Sequence, residues 1–143
     1  MLYRMMKYKL LLLFGFLLLG CTHHSKVVLE NKGYQNVQWT EEEKQKEIAI
    51  RHLSRSEYSS SHLLRVKGAE EPHIHDYHDL TVTVISGKSI LHFKDHEVVL
   101  EKGDVVHIQK GRYHWAENID PEASVVFAVF SPAYKGKDKR LVK

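Results

Sequence analysis

His73-Ile-His75 and the distant His114 are the side chains whose type and spacing could do chemistry in this chain. In an extended segment side chains alternate with period two, so His73 and His75 share one face of a strand. Two neutral imidazoles aimed at one point suit a divalent transition metal. A metal needs further ligands, and His114, which opens its own strand after Lys110-Gly111, is the natural third. His78 and Asp79 stand just downstream of the pair and compete for a fourth place. Either could instead cap a turn or hydrogen-bond a ligating histidine from behind.

These residues resemble the two motifs of the cupin superfamily, a group of small β-barrels. The family's second pattern is Gly, five residues, Pro-X-Gly, two residues, His, three residues, Asn. Gly103, Gly111, His114 and Asn118 fit it residue for residue, with Gln109 in place of the Pro. The first pattern is a Gly, then His-X-His, three or four residues to a Glu, and a closing Gly. Counting three residues on from His75 gives Asp79, whereas counting back from Gly87 gives Leu80, which has no metal-binding atom. One extra residue then sits in this strand, to be absorbed by a bulge. A bulge after position 79 leaves Asp79 as the ligand, and one before it turns His78 inward; both alternatives stay open.

The resemblance implies an all-β chain, a single cupin-type barrel of the jelly-roll, double-stranded β-helix kind. It also implies a divalent transition metal (Fe, Mn, Ni, Cu or Zn) on His73, His75, His114 and either Asp79 or His78. Dioxygenase, isomerase or lyase chemistry on a small oxygenated molecule follows from that family, as does a homodimer paired through sheet edges. Two readings from other classes stand beside it. One is a non-enzymatic module that holds a metal or small ligand for another envelope protein; the other is a barrel without metal whose histidines only pack. No base, nucleophile or phosphate-binding loop accompanies the histidines, and Arg112 is the one cation beside them.

The remaining candidates have plainer roles. His92 and His107 lie mid-strand, His23, His24 and His96 fall in tether or turn, and Glu70 and Glu71 sit before Pro72 at the barrel mouth. Tyr113 and Trp115 alternate with His114 and belong to the opposite face. Asn118 is placed to hold a turn or to orient the His114 strand.

The elements that must position these residues are short strands. Apolar alternation marks 48–53, 61–66, 80–85, 89–93, 97–100, 105–108, 113–117 and 124–130, with Gly, Pro, Lys and Asp between them. About eight strands at this spacing form a barrel or sandwich. One short helix is expected at 40–48, where Thr40-Glu-Glu-Glu43 has the form of a capping box.

Residues 1–20 read as a cleaved secretory leader. Arg4, Lys7 and Lys9 head an apolar run, Leu10 to Leu19, too short to anchor by spanning a bilayer. Leu18-Leu19-Gly20-Cys21 resembles the bacterial lipobox, which implies acylation of Cys21, the only cysteine, and a domain held on a membrane surface outside the cytoplasm. Losing three of the 21 Lys and Arg balances the mature chain against its 18 Asp and Glu, so nothing argues for a nucleic-acid partner. Residues 21–39 then form a tether, 40–134 one barrel domain and 135–143 a basic, solvated tail.

Overall fold

A computed structural model describes residues 26–29, 33–36 and 38–142. The expected leader and Cys21 lie outside the described residues. Within the expected tether, β1 (Lys26–Leu29) and β2 (Gly33–Asn36) pair as an antiparallel hairpin, so this segment is not irregular throughout. Next comes α1 (Glu41–Gln45), whose N-terminus carries the expected box: Glu43 N–H donates to Thr40 Oγ1 (3.2 Å) and Thr40 N–H donates to Glu43 Oε2 (2.8 Å). Arg51 docks this turn on the barrel by donating from Nε to Glu43 Oε1 (2.7 Å). The helix is shorter than expected because the apolar alternation of the next strand already begins at Ile48. No helix among the described residues is long and apolar enough to cross a membrane.

The barrel is built from β3 (Ile48–Arg55), β4 (Ser60–Val66), β5 (His73–His75), β6 (Asp79–Ser86), β7 (Lys88–Phe93), β8 (Glu97–Glu101), β9 (Val105–Ile108), β10 (His114–Asn118), β11 (Ser124–Ser131) and β12 (Lys139–Leu141). They form two five-stranded antiparallel sheets, β3-β4-β11-β6-β9 and β12-β5-β10-β7-β8. Leu80, Val84, Ile108, Ala128 and Phe130 of the first sheet meet Leu91 and Leu100 of the second in one buried core. Each large aliphatic or aromatic side chain so buried contributes roughly 1.5–3 kcal/mol relative to exposure.

The chain crosses from sheet to sheet at glycines. Gly87, at φ +85°, turns β6 into β7, and a Cβ there would lie 2.7 Å from the Ser124 backbone. Gly111, at φ +79°, turns β9 towards β10 while its N–H donates to the His75 carbonyl (2.7 Å). The turn of the second motif is thereby tied to the strand of the first.

Two expectations are corrected here. The described residues after 134 are exposed as expected except for buried Asp138 and part-buried Val142, but they are not a free tail: β12 pairs with β5, setting Lys139 opposite His75 and Leu141 opposite His73. A register shift does occur in β6, but at its far end, where Val125 pairs with Ser86 and Val126 with Val84, leaving Ile85 as the extra residue. It therefore leaves the parity of Asp79 and Leu80 untouched.

Candidate metal centre

His73 and His75 point inward from β5, with Ile74 between them on the other face, and both are buried. His114, also buried, opens β10 directly opposite His73 in the ladder. The ring centroids lie 4.5 Å apart for His73 and His114, 4.9 Å for His73 and His75, and 5.6 Å for His75 and His114. One nitrogen of each ring falls within 4.8 Å of the other two.

The backbone sets the tautomers of two of the three rings. His73 Nδ1–H donates to the Glu71 carbonyl (2.8 Å) and His114 Nδ1–H to the Arg112 carbonyl (2.9 Å). That leaves Nε2 of each with a free lone pair, and His114 Nε2 is buried without any hydrogen-bond partner. His75 Nδ1 is buried without a hydrogen-bond partner among the described residues, the Asp138 carboxylate standing 3.5 Å away, so no backbone bond fixes the tautomer of this ring. Burial pushes His73 and His75 down to about 4, helped at His75 by the neighbouring rings of His73 and His114, and it lowers His114 as well. The rings are therefore neutral donors at ordinary pH, as metal ligation requires. A buried polar nitrogen left unpaired costs about 1–3 kcal/mol, and a cation on these three lone pairs would remove that cost. The donor set thus fits a divalent transition metal.

Neither residue expected to supply a fourth ligand reaches the cluster. Asp79 precedes the inward Leu80 and so faces away, its Oδ1 accepting from Lys110 N–H (2.9 Å). His78 is buried but spent: Nδ1 contacts Asp138 Oδ2 and Nε2 faces the Ala133 carbonyl at 3.2 Å. With four intervening residues instead of three, the family's carboxylate position falls on Leu80, which lines the cavity beside the histidines.

Several residues beside the cluster escaped the sequence reading. Glu70 does not merely sit at the mouth: it lines the cavity with the histidines, its Oε2 accepts from Ala116 N–H (3.2 Å), and burial raises its carboxyl above the usual range. Asp138 collects Tyr77 N–H (2.9 Å), His78 and the approach of His75. His62 is buried at the mouth, its Nδ1 against His52 Nδ1 (2.8 Å) and its Nε2 against Ser60 Oγ (2.9 Å). Arg112 is not the cation of the site, since its guanidinium lies over Phe93 and lines a groove on the outer face. Trp115 is on that outer face too, stacked on His92 at 3.8 Å. His107 is exposed and meets Thr81. Asn118 secures the end of β10: its side chain donates to the Asp120 and Glu122 carbonyls (3.0 Å each) and accepts from Ser124 Oγ (2.6 Å).

Two chambers meet at the histidines. The inner one, about 80 Å³, is walled by aliphatic side chains of both sheets. The outer one, about 240 Å³, opens between β3, β4 and β12 and is bounded by Ile50, His62, Tyr134 and Lys139. His73, His75, Glu70, Leu64 and Phe130 belong to both.

Comparison with known proteins agrees with this geometry. A family model described as a cupin domain matches residues 62–130, which include all three histidines. An uncharacterized protein of Aquifex aeolicus (strain VF5) is 41% identical over 92 residues, 64% of this chain and 75% of that protein. Among solved structures, a conserved protein with a double-stranded β-helix domain from Klebsiella pneumoniae is 22% identical at a TM-score of 0.60, covering 76% of this chain and 99% of that one. KdgF from Halomonas sp. is 21% identical at a TM-score of 0.58, covering 76% and 94%. At these identities the structures speak for the fold alone.

Proposed function

Because the chain belongs to the cupin superfamily and gathers three buried histidines at one point, we propose that it binds a divalent transition metal through one ring nitrogen each of His73, His75 and His114. The observation that carries this reading is His114 Nε2, a buried lone pair with its tautomer fixed and no donor among the described residues to pair with it. Fe, Mn, Ni, Cu and Zn all suit an imidazole set of this kind.

When bound, such an ion supplies Lewis acidity to an oxygen of a small molecule. The rest is the work of this chain's own residues. Leu80, where a fourth ligand would stand, leaves that side of the cluster without a protein donor. The aliphatic wall behind it keeps water from the inner side, and the outer chamber admits a ligand of a few heavy atoms. Oxygenase or isomerase action on a small oxygenated molecule fits this arrangement.

A lipid anchor at Cys21 in a bacterial envelope is part of the same proposal. It is supported by the basic head, the apolar run and Leu18-Leu19-Gly20-Cys21. Cys21→Ser should then release the protein from the membrane fraction.

Metal analysis of the full chain, purified in detergent without a His tag, tests the central reading. Stoichiometric metal that disappears in His73→Ala and in His114→Ala is the expected outcome. Wild-type protein that stays metal-free in the presence of all five ions would overturn it.

A further inference from the structure

The two chambers differ in chemistry, and the difference describes a ligand. Besides the three histidines, Glu70 and Ser89 are the only polar residues among the described ones that line the inner chamber. An apolar chamber of this kind stays dry and accepts apolar groups. Among the described residues that line the two chambers, Glu70 is the only carboxylate and Lys139 the only ammonium.

Lys139 stands directly opposite His75 in the antiparallel β5–β12 pair. Residues so paired project from the same face, so the ammonium and the imidazole look into the same chamber. Lys139 forms no salt bridge among the described residues. Glu70 is fixed at the end of the sheet by the exchange with Ala116, N–H to carbonyl at 2.8 Å and carboxyl from N–H at 3.2 Å. That exchange occupies Oε2 and leaves Oε1 for a ligand.

Resting on the metal site proposed above, we propose that the ligand is a small monocarboxylic acid with a keto or hydroxyl oxygen next to the carboxylate and a short aliphatic side chain. One cation at the mouth matches one anionic group, held by Lys139. Adjacent oxygens allow the ligand to chelate on the side that Leu80 leaves open, with the Glu70 carboxyl donating in its protonated form to a keto or carboxylate oxygen, or accepting from a hydroxyl. The aliphatic end enters the inner chamber.

The test uses the full chain in detergent, loaded with Co(II), and 3-methyl-2-oxobutanoate as the probe. Binding is read by calorimetry and by the visible spectrum of the Co(II). The keto acid should shift the spectrum, whereas the neutral ketone 3-methyl-2-butanone should not. Lys139→Met should weaken the keto acid at least about tenfold with Co(II) content unchanged, and Lys139→Arg should recover most of that loss. Glu70→Gln, whose amide can donate in place of the protonated carboxyl, should retain both binding and Co(II), whereas Glu70→Leu should weaken binding while retaining Co(II). Equal binding of acid and ketone, an unaltered Lys139→Met, or a loaded chain indifferent to the keto acid overturns this proposal and leaves the metal site standing. Loss of Co(II) from Glu70→Gln would make Glu70 a metal ligand and overturn its assignment. A wild-type chain that takes up no Co(II) overturns the metal reading, and this proposal with it.

Discussion

His114 faces His73 directly across the β5–β10 ladder, with ring centroids 4.5 Å apart. This pairing joins two motifs far apart in sequence into one site, and the Gly111 N–H bond to the His75 carbonyl locks it. The cluster is thus a property of strand register, and changes that leave the register intact should affect metal and fold separately.

Leu80→Glu tests the open side. The new carboxylate would stand where the family has its acid, in a cavity otherwise aliphatic. Metal affinity, measured by chelator competition, should rise. Apo-protein stability should fall, because a buried charge without a partner is costly. A variant that binds metal no better than wild type would show that Leu80 does not border the ion.

Asp138→Asn should weaken metal binding by about 10–100-fold, the usual effect of removing a carboxylate that orients a ligating histidine. The group in question approaches His75 Nδ1 at 3.5 Å. Asp79→Ala should leave metal affinity unchanged and cost roughly 0.5–1.5 kcal/mol of stability, since only the bond from Lys110 N–H is lost. The opposite ranking in a chelator titration would return Asp79 to the ligand set.

The apo protein should lose stability on acidification. His62, His73 and His75 are held at about 4 in the fold, against 6.5 for the free side chain, so the unfolded chain takes up protons first. Stability is then flat with respect to these groups above about pH 6.5. It falls by up to roughly 1.4 kcal/mol per pH unit for each histidine as pH drops towards their folded values. Saturating metal should raise stability across this range but leave the fall at least as steep, because metal-bound rings take up no protons while the unfolded chain still does. Denaturant midpoints that do not move between about pH 7 and about pH 4.5 would contradict the buried, neutral histidines.

Gly87→Ala should destabilise by roughly 1–3 kcal/mol or more. Its positive φ strains any L side chain, and the added Cβ would press on the Ser124 backbone at 2.7 Å. Thermal unfolding of the metal-free chain measures this, and a midpoint close to wild type would mean that the β6–β7 corner is less constrained than its geometry indicates.

The barrel was legible because its strands alternate and its corners carry glycine, and His73, His75 and His114 were legible through motif spacing. What stayed hidden has physical reasons. The bulge at Ile85 shows in the sequence only as a second apolar residue after Val84 at the end of the alternating Leu80-Thr-Val-Thr-Val run, too small a mark to locate it. Asp138 sits among lysines and looks solvated until β12 is seen to pair with β5. Glu70 gives no periodic cue, since it precedes a proline in a connection between sheets, and only the exchange with Ala116 turns it inward. His78 has the right type and lies close in sequence, but Asp138 and Ala133 claim both its nitrogens.

The most direct measurement is X-ray absorption at the zinc edge of the full chain loaded with one equivalent of Zn(II). Three imidazole nitrogens at roughly 2.0–2.1 Å are predicted, falling to two in His114→Ala. An imidazole count that His114→Ala leaves unchanged, or a zinc shell made of oxygen alone, would contradict the account.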